Sequence, residues 1–120
     1  MVNYPCLASI LEAPENEYAY ALSRGVETWI GLEWNNPEQQ FKWSDNWPVW
    51  YTKWGDGYPD ANIVNSKGCV ALKEKEQQSE WVQSSCNEQK VNGTSHIYYY
   101  IIDTGIAMHG PSSQTATATD

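Results

Sequence analysis

Four tryptophans stand 4, 3 and 4 residues apart in the stretch FKWSDNWPVWYTKWGDGYPD (residues 41–60), at positions 43, 47, 50 and 54. That spacing is the stripe of one helix face. Pro48 rules a helix out, because proline removes a backbone donor and disfavours the α conformation at Trp47. Asp45, Asn46, Gly55 and Gly57 are turn formers. The stretch is therefore expected to be a long irregular loop containing short strands. A small domain can use such rings in two ways: bury them as core, or present them as a contact surface.

The flanking segments have clearer signals. Residues 13–24 (APENEYAYALSR) are predicted as a helix. Pro14 suits its first turn, Glu15 and Glu17 complement its dipole, and Gly25 can cap its end. Tyr18, Ala21 and Leu22 recur at helical spacing and are expected to face the core. ETWIGLEW (27–34) is a short β-type run. GCVALKE (68–74) and SEWVQSSC (79–86) are two further strands, with the polar KEKEQQSE making a hairpin connection. IYYYII (97–102) is another strand candidate. Residues 104–120, rich in Gly, Pro, Ser and alternating Thr-Ala, are expected to form a disordered tail.

A chain of 120 residues makes one domain at most. Eight Tyr, seven Trp and one Phe can supply a core, since each ring buries roughly 150–250 Å². The net charge of −8 argues against nucleic acid and anionic membranes, and permits cationic partners, divalent metals and neutral sugars. No apolar run is long enough to span a membrane, and MVNYPCLASI lacks the features of a signal peptide. A protein working outside the cell would therefore be represented here by a piece of its chain. His96 and His109 are the only histidines, and no HExxH, GxSxG, P-loop, GxGxxG or Cys-x-x-Cys pattern is present. No enzymatic role is expected. The three cysteines, Cys6, Cys69 and Cys86, leave one thiol over or lacking a partner.

The order LASI (7–10), helix, WIGL (29–32), FKWSD, PV, YTKW, G.PD, GCVAL and W....C resembles a C-type lectin-like domain. The wording is most similar to the repeated domains of the macrophage mannose receptor and secretory phospholipase receptor family. The likeness covers residues 6–86. It implies an α+β fold with helices, a small antiparallel sheet and a long irregular loop region. It also implies a disulfide between Cys69 and Cys86, worth on the order of 3 kcal/mol in the chain-entropy model, and an oxidising, extracellular setting. Two buried reduced thiols are the alternative. The family's opening strand and first helix are nearly all missing before LASI, and Cys6 lies too close to LASI to be the family's first cysteine. Ile102 stands where the closing cysteine belongs, and the stretch after Lys90 is too long. The domain is thus expected to be incomplete, spanning residues 1–103.

Sugar-binding members chelate Ca²⁺, which needs six to eight oxygen ligands. The resemblance places those ligands at Tyr58-Pro59-Asp60, before Cys69, and at Trp81-Val82-Gln83. Tyr58 is a phenol, Lys67 stands near where a Glu is needed, Val82 offers no side-chain oxygen, and only Asp60 keeps a carboxylate. The expectation is that no calcium and no other cofactor is bound. Trp43 and Trp54 match core positions of the family, whereas Trp47 and Trp50 are extra. With Tyr51, Tyr58 and Asp60 these two form the expected ligand surface, which would take a protein or a glycan. Asn92-Gly93-Thr94 is a possible N-glycosylation site. The implied function is non-catalytic recognition in a secreted or membrane-anchored receptor, with ligand capture for endocytosis as the family role. A sugar binder using the aromatic patch is the alternative, and a structural spacer or a non-functional truncated product the third.

Overall fold

The computed structural model of the chain describes residues 9–92. In chain order they form helix α1 (Ala13–Ser23), strands β1 (Thr28–Asn35) and β2 (Gln40–Trp43), one 3₁₀ turn (Ala61–Ile63), and strands β3 (Cys69–Lys75), β4 (Gln78–Ser84) and β5 (Val91–Asn92). The architecture is α+β, as expected. The strand at 97–102, the domain limit at 103, the tail at 104–120, Cys6, and the sequon beyond Asn92 lie outside the described residues.

Helix α1 starts and stops where its sequence signals say. Pro14 sits in the first turn, and the backbone N–H of Leu11 donates to Glu15 Oε1 at 2.7 Å. Arg24 (φ 53°) and Gly25 (φ 79°) turn left-handed and end it, a common helix stop. The buried face differs from the expected one. Tyr18 and Leu22 pack half-buried against the core, but Ala21 is exposed. The fully buried positions are Glu15, Asn16, Ala19 and Ser23. Hydrogen bonding explains the difference. Asn16 donates through Nδ2 to Ser79 Oγ (2.7 Å) and accepts through Oδ1 from Trp81 Nε1 (2.9 Å). A buried amide with such partners avoids the cost of lost hydration.

The strands form one sheet in the order β2-β1-β3-β4, antiparallel throughout, with β5 parallel to β1 at Thr28 and Trp29. The β3–β4 hairpin runs in unbroken register from Cys69 opposite Ser84 to Lys75 opposite Gln78. Its two turn residues, Glu76 and Gln77, both have positive φ (53° and 65°), as tight hairpin turns require. Val70, Ala71 and Leu72 are consecutive and all buried, so both faces of the sheet centre are covered. Ile10, Leu11, Ile30, Leu32, Trp43, Leu72 and Trp81 belong to the core they enter. Two clamps close the sheet's end. Cys69 and Cys86 are joined by a disulfide with Cα atoms 5.1 Å apart. Lys90 Nζ reaches Glu88 (2.7 Å) and Glu27 (3.2 Å) and lies 5.1 Å from the centre of the Trp29 ring, tying the approach to β5 onto the start of β1.

Candidate functional site

The tryptophan stretch divides at its ends and its middle. Trp43 closes β2 and is buried, its ring 5.6 Å from that of Trp81 in an edge-on contact. Trp54 is half-buried and packs against both Phe41 (5.2 Å) and Trp81 (5.9 Å). Trp81, completely buried on β4, is thus the hub of the aromatic core.

The backbone fixes both roots of the loop. Ser44 N–H donates to Gly31 O and Asn46 N–H to Trp43 O. At the far root Trp81 N–H donates to Lys53 O (2.8 Å) and Gly55 N–H to Trp81 O (3.0 Å). Between these roots, Trp47, Val49 and Trp50 project outward with 41%, 38% and 67% of their surface exposed. The Trp47 and Trp50 ring centres lie 6.4 Å apart in a tilted contact, their planes inclined by 60°.

The five residues expected to form one surface do not all join it. Trp47 and Trp50 are paired. Tyr51 is half-buried and presents an edge-on contact to Trp81 at 5.9 Å, so it belongs to the core side. Burial, and then the charge of Glu17, push its phenol above the usual tyrosine range. Tyr58 and Asp60 lie in the next loop, beyond Gly55, where the Tyr58-Pro59 peptide is cis.

That second loop is held by a residue whose role the sequence did not disclose. Gln83, buried on β4, accepts the Asp60 N–H through Oε1 and donates through Nε2 to Asp60 O (3.2 Å) and Lys67 O (3.1 Å). One amide therefore fastens the loop at both ends. Asp60 Oδ1 accepts the N–H of Asn62 and starts the 3₁₀ turn. A Cβ on Gly68 would sit 2.8 Å from Val64 O, so the loop's return has room only for glycine. The one visible signal was an amide at an inward position of a strand, since a buried amide must find partners.

These contacts bear on calcium. A Ca²⁺ cage needs six to eight converging oxygens. Here the Gln83 N–H₂ group points at the two loop carbonyls, one oxygen of Asp60 is already engaged, and neither Val82 nor Lys67 adds a side-chain oxygen. The residues present do not fit the ion. Glu33, Cys69 and Cys86 also cluster within 4.8 Å, but the two sulfurs are bonded to each other and offer no thiolate to a metal.

A helix flanking a small antiparallel sheet, a disulfide joining β3 to the segment after β4, and long loops rooted on one buried tryptophan define a lectin-type recognition domain. The chain belongs to the C-type lectin domain family, whose sequence model matches residues 4–91. This is a non-catalytic class of module. The mouse low affinity immunoglobulin epsilon Fc receptor is 34% identical over 67 residues, which are 56% of this chain and 20% of that receptor. Among solved structures, the C-type lectin CEL-I of Cucumaria echinata is 31% identical with a TM-score of 0.57, covering 70% of this chain and 62% of that one. The C-type lectin domain of murine dendritic cell inhibitory receptor 2, solved with an N-glycan, is similar in fold (TM-score 0.63, 21% identity, 72% and 66% covered). The chain thus spans a fifth of the curated relative and less than two thirds of CEL-I. Among the described residues no helix is long and apolar enough to cross a membrane.

Proposed function

We propose that this domain is a calcium-independent recognition module of an extracellular receptor, which captures its ligand on the Trp47–Trp50 loop. The observation that carries this is the exposed ring pair on a loop fixed at both roots. Large aromatic side chains left in water forgo burial energy, and rigid Trp anchors are what binding surfaces use. The Gln83 amide supports calcium independence, because it already does the loop-fastening that an ion would otherwise do. The disulfide supports an oxidising, extracellular setting. The resemblance to mannose-receptor repeats supports ligand capture for endocytosis as the parent's role.

A second reading keeps the same rings but gives them a sugar to stack on. It is favoured by CEL-I being a lectin and by the N-glycan bound to the murine receptor domain. A glycan array and a panel of secreted proteins, each probed with and without chelator, separate the readings. Protein capture that survives chelator and is lost in the Trp47→Ser/Trp50→Ser variant is the expected result. Chelator-sensitive glycan binding would overturn calcium independence. Silence on both panels would leave a structural spacer as the better account.

A further inference from the structure

The outer face of β1 carries a groove that the tryptophan loop does not use. Side chains alternate along a strand, so Trp29, Gly31 and Glu33 share one face. Four residue steps of β1, from Trp29 to Glu33, stand against only two of β3, from Ala71 to Cys69. Such a surplus bends the longer strand. Gly31 puts no side chain between Trp29 and Glu33. The result is a cavity of about 250 Å³, walled by Trp29, Ile30, Leu32, Glu33 and the Cys69–Cys86 disulfide. A second cavity of about 340 Å³ shares Glu33 and Ser44 with the first and continues to Asn35 and Asn46. Glu33 thus stands where an apolar cavity meets a polar one. Its carboxylate is exposed and lies within 4.8 Å of both disulfide sulfurs. Among the described residues it has no hydrogen bond and no ion pair. Its cross-strand neighbour Lys42 gives its ammonium to Glu38 instead, at 3.1 Å. The other nearby base, Lys90 over the Trp29 ring, is neutralised by Glu27 and Glu88. An unpaired carboxylate beside apolar walls suits a ligand that carries a cation on an apolar stem.

We propose that this groove binds an arginine side chain from an extended segment of a protein partner. The stem lies in the apolar cavity between Trp29 and the disulfide, and the guanidinium meets Glu33. The backbone beside it crosses the polar cavity, where Asn35 and Asn46 offer it their amides. Arginine fits better than lysine, because its planar fork meets both oxygens of a carboxylate at once. This rests on the reading of the domain as a protein-capture module, and it gives that partner a contact separate from the Trp47–Trp50 pair.

The test uses the full chain in chelator, with the indole N–H signals of its tryptophans followed by NMR. The probes are the blocked tripeptide alanine-arginine-alanine, its citrulline counterpart, which keeps the shape without the charge, and its glutamate counterpart. The arginine peptide is expected to shift the Trp29 signal saturably, and the other two to leave it unmoved. Its affinity is expected to fall at least about threefold in Glu33→Gln. Asp56→Asn makes the same charge change at an exposed residue outside both cavities and is expected to leave the affinity unchanged. So is Trp47→Ser/Trp50→Ser. Equal losses in Glu33→Gln and Asp56→Asn would be general attraction to an acidic chain and would overturn the proposal. Citrulline binding as tightly as arginine would overturn it too. An arginine peptide that shifts Trp47 and Trp50 but not Trp29 would overturn the groove and keep the loop as the capture surface. No shift from any probe overturns the groove, while protein capture by the loop stands or falls on its own panel.

Discussion

Trp81 and Trp50 are the same residue in opposite employment. Trp81 has no exposed surface, touches the rings of Trp43, Tyr51 and Trp54, and has its indole N–H satisfied by Asn16. Trp50 has two thirds of its surface in water and, among the described residues, its ring meets that of Trp47. The chain between them is fixed at residues 53–55, where loop and β4 exchange backbone hydrogen bonds. The contrast teaches that composition does not assign an aromatic its task. A buried indole contributes to stability through contacts on every side. An exposed indole contributes little to folding, and its value lies in what it can meet.

The comparison breaks most visibly at Trp81. Trp81→Ala should cost about 3–5 kcal/mol, through the cavity and the orphaned Asn16 carbonyl, and chemical denaturation would measure it. A loss below about 1 kcal/mol would deny Trp81 its place as hub. Reduction of the Cys69–Cys86 disulfide should cost on the order of 3 kcal/mol by the same assay. Gln83→Leu sharpens the picture of the second loop. It leaves the Asp60 N–H and two carbonyls without their partner and should cost about 1–3 kcal/mol. Hydrogen exchange should rise across residues 60–67 while the β3–β4 hairpin stays protected. Uniform acceleration over the whole domain would mean that Gln83 is a core residue and no local fastener. The smallest stability effect belongs to Trp47→Ser/Trp50→Ser, within about 0.5 kcal/mol, as for surface positions generally.

Much of this arrangement was legible before any coordinates. Pro48 denied the helical stripe, and the family resemblance sorted Trp43 and Trp54 from Trp47 and Trp50. The helix ends followed from Pro14 and Gly25, and the hairpin strands from their β-formers. What escaped was polar. Periodicity counts apolar residues, so it named Ala21 as inward when Glu15 and Asn16 hold that face. Gln83 was weighed only as a poor calcium ligand, because its value depends on two carbonyls more than fifteen residues away in sequence. The Glu76-Gln77 turn carries no Gly or Asn to announce its positive φ. Tyr51 looked like a neighbour of Trp50 on the surface, but its position opposite Trp81 is set by the loop's return to β4.

The most direct measurement is a thermal melt, followed by far-ultraviolet circular dichroism, of the wild-type chain and the Trp47→Ser/Trp50→Ser variant, each in calcium and in excess chelator. A ligand that binds only the native state raises its melting temperature by mass action. Four cooperative melts with coincident midpoints are predicted, because the two rings lie outside the core and the proposed function gives calcium no role in a loop fastened by Gln83. A calcium-dependent rise in the wild type, or a variant without a cooperative transition, would contradict the account.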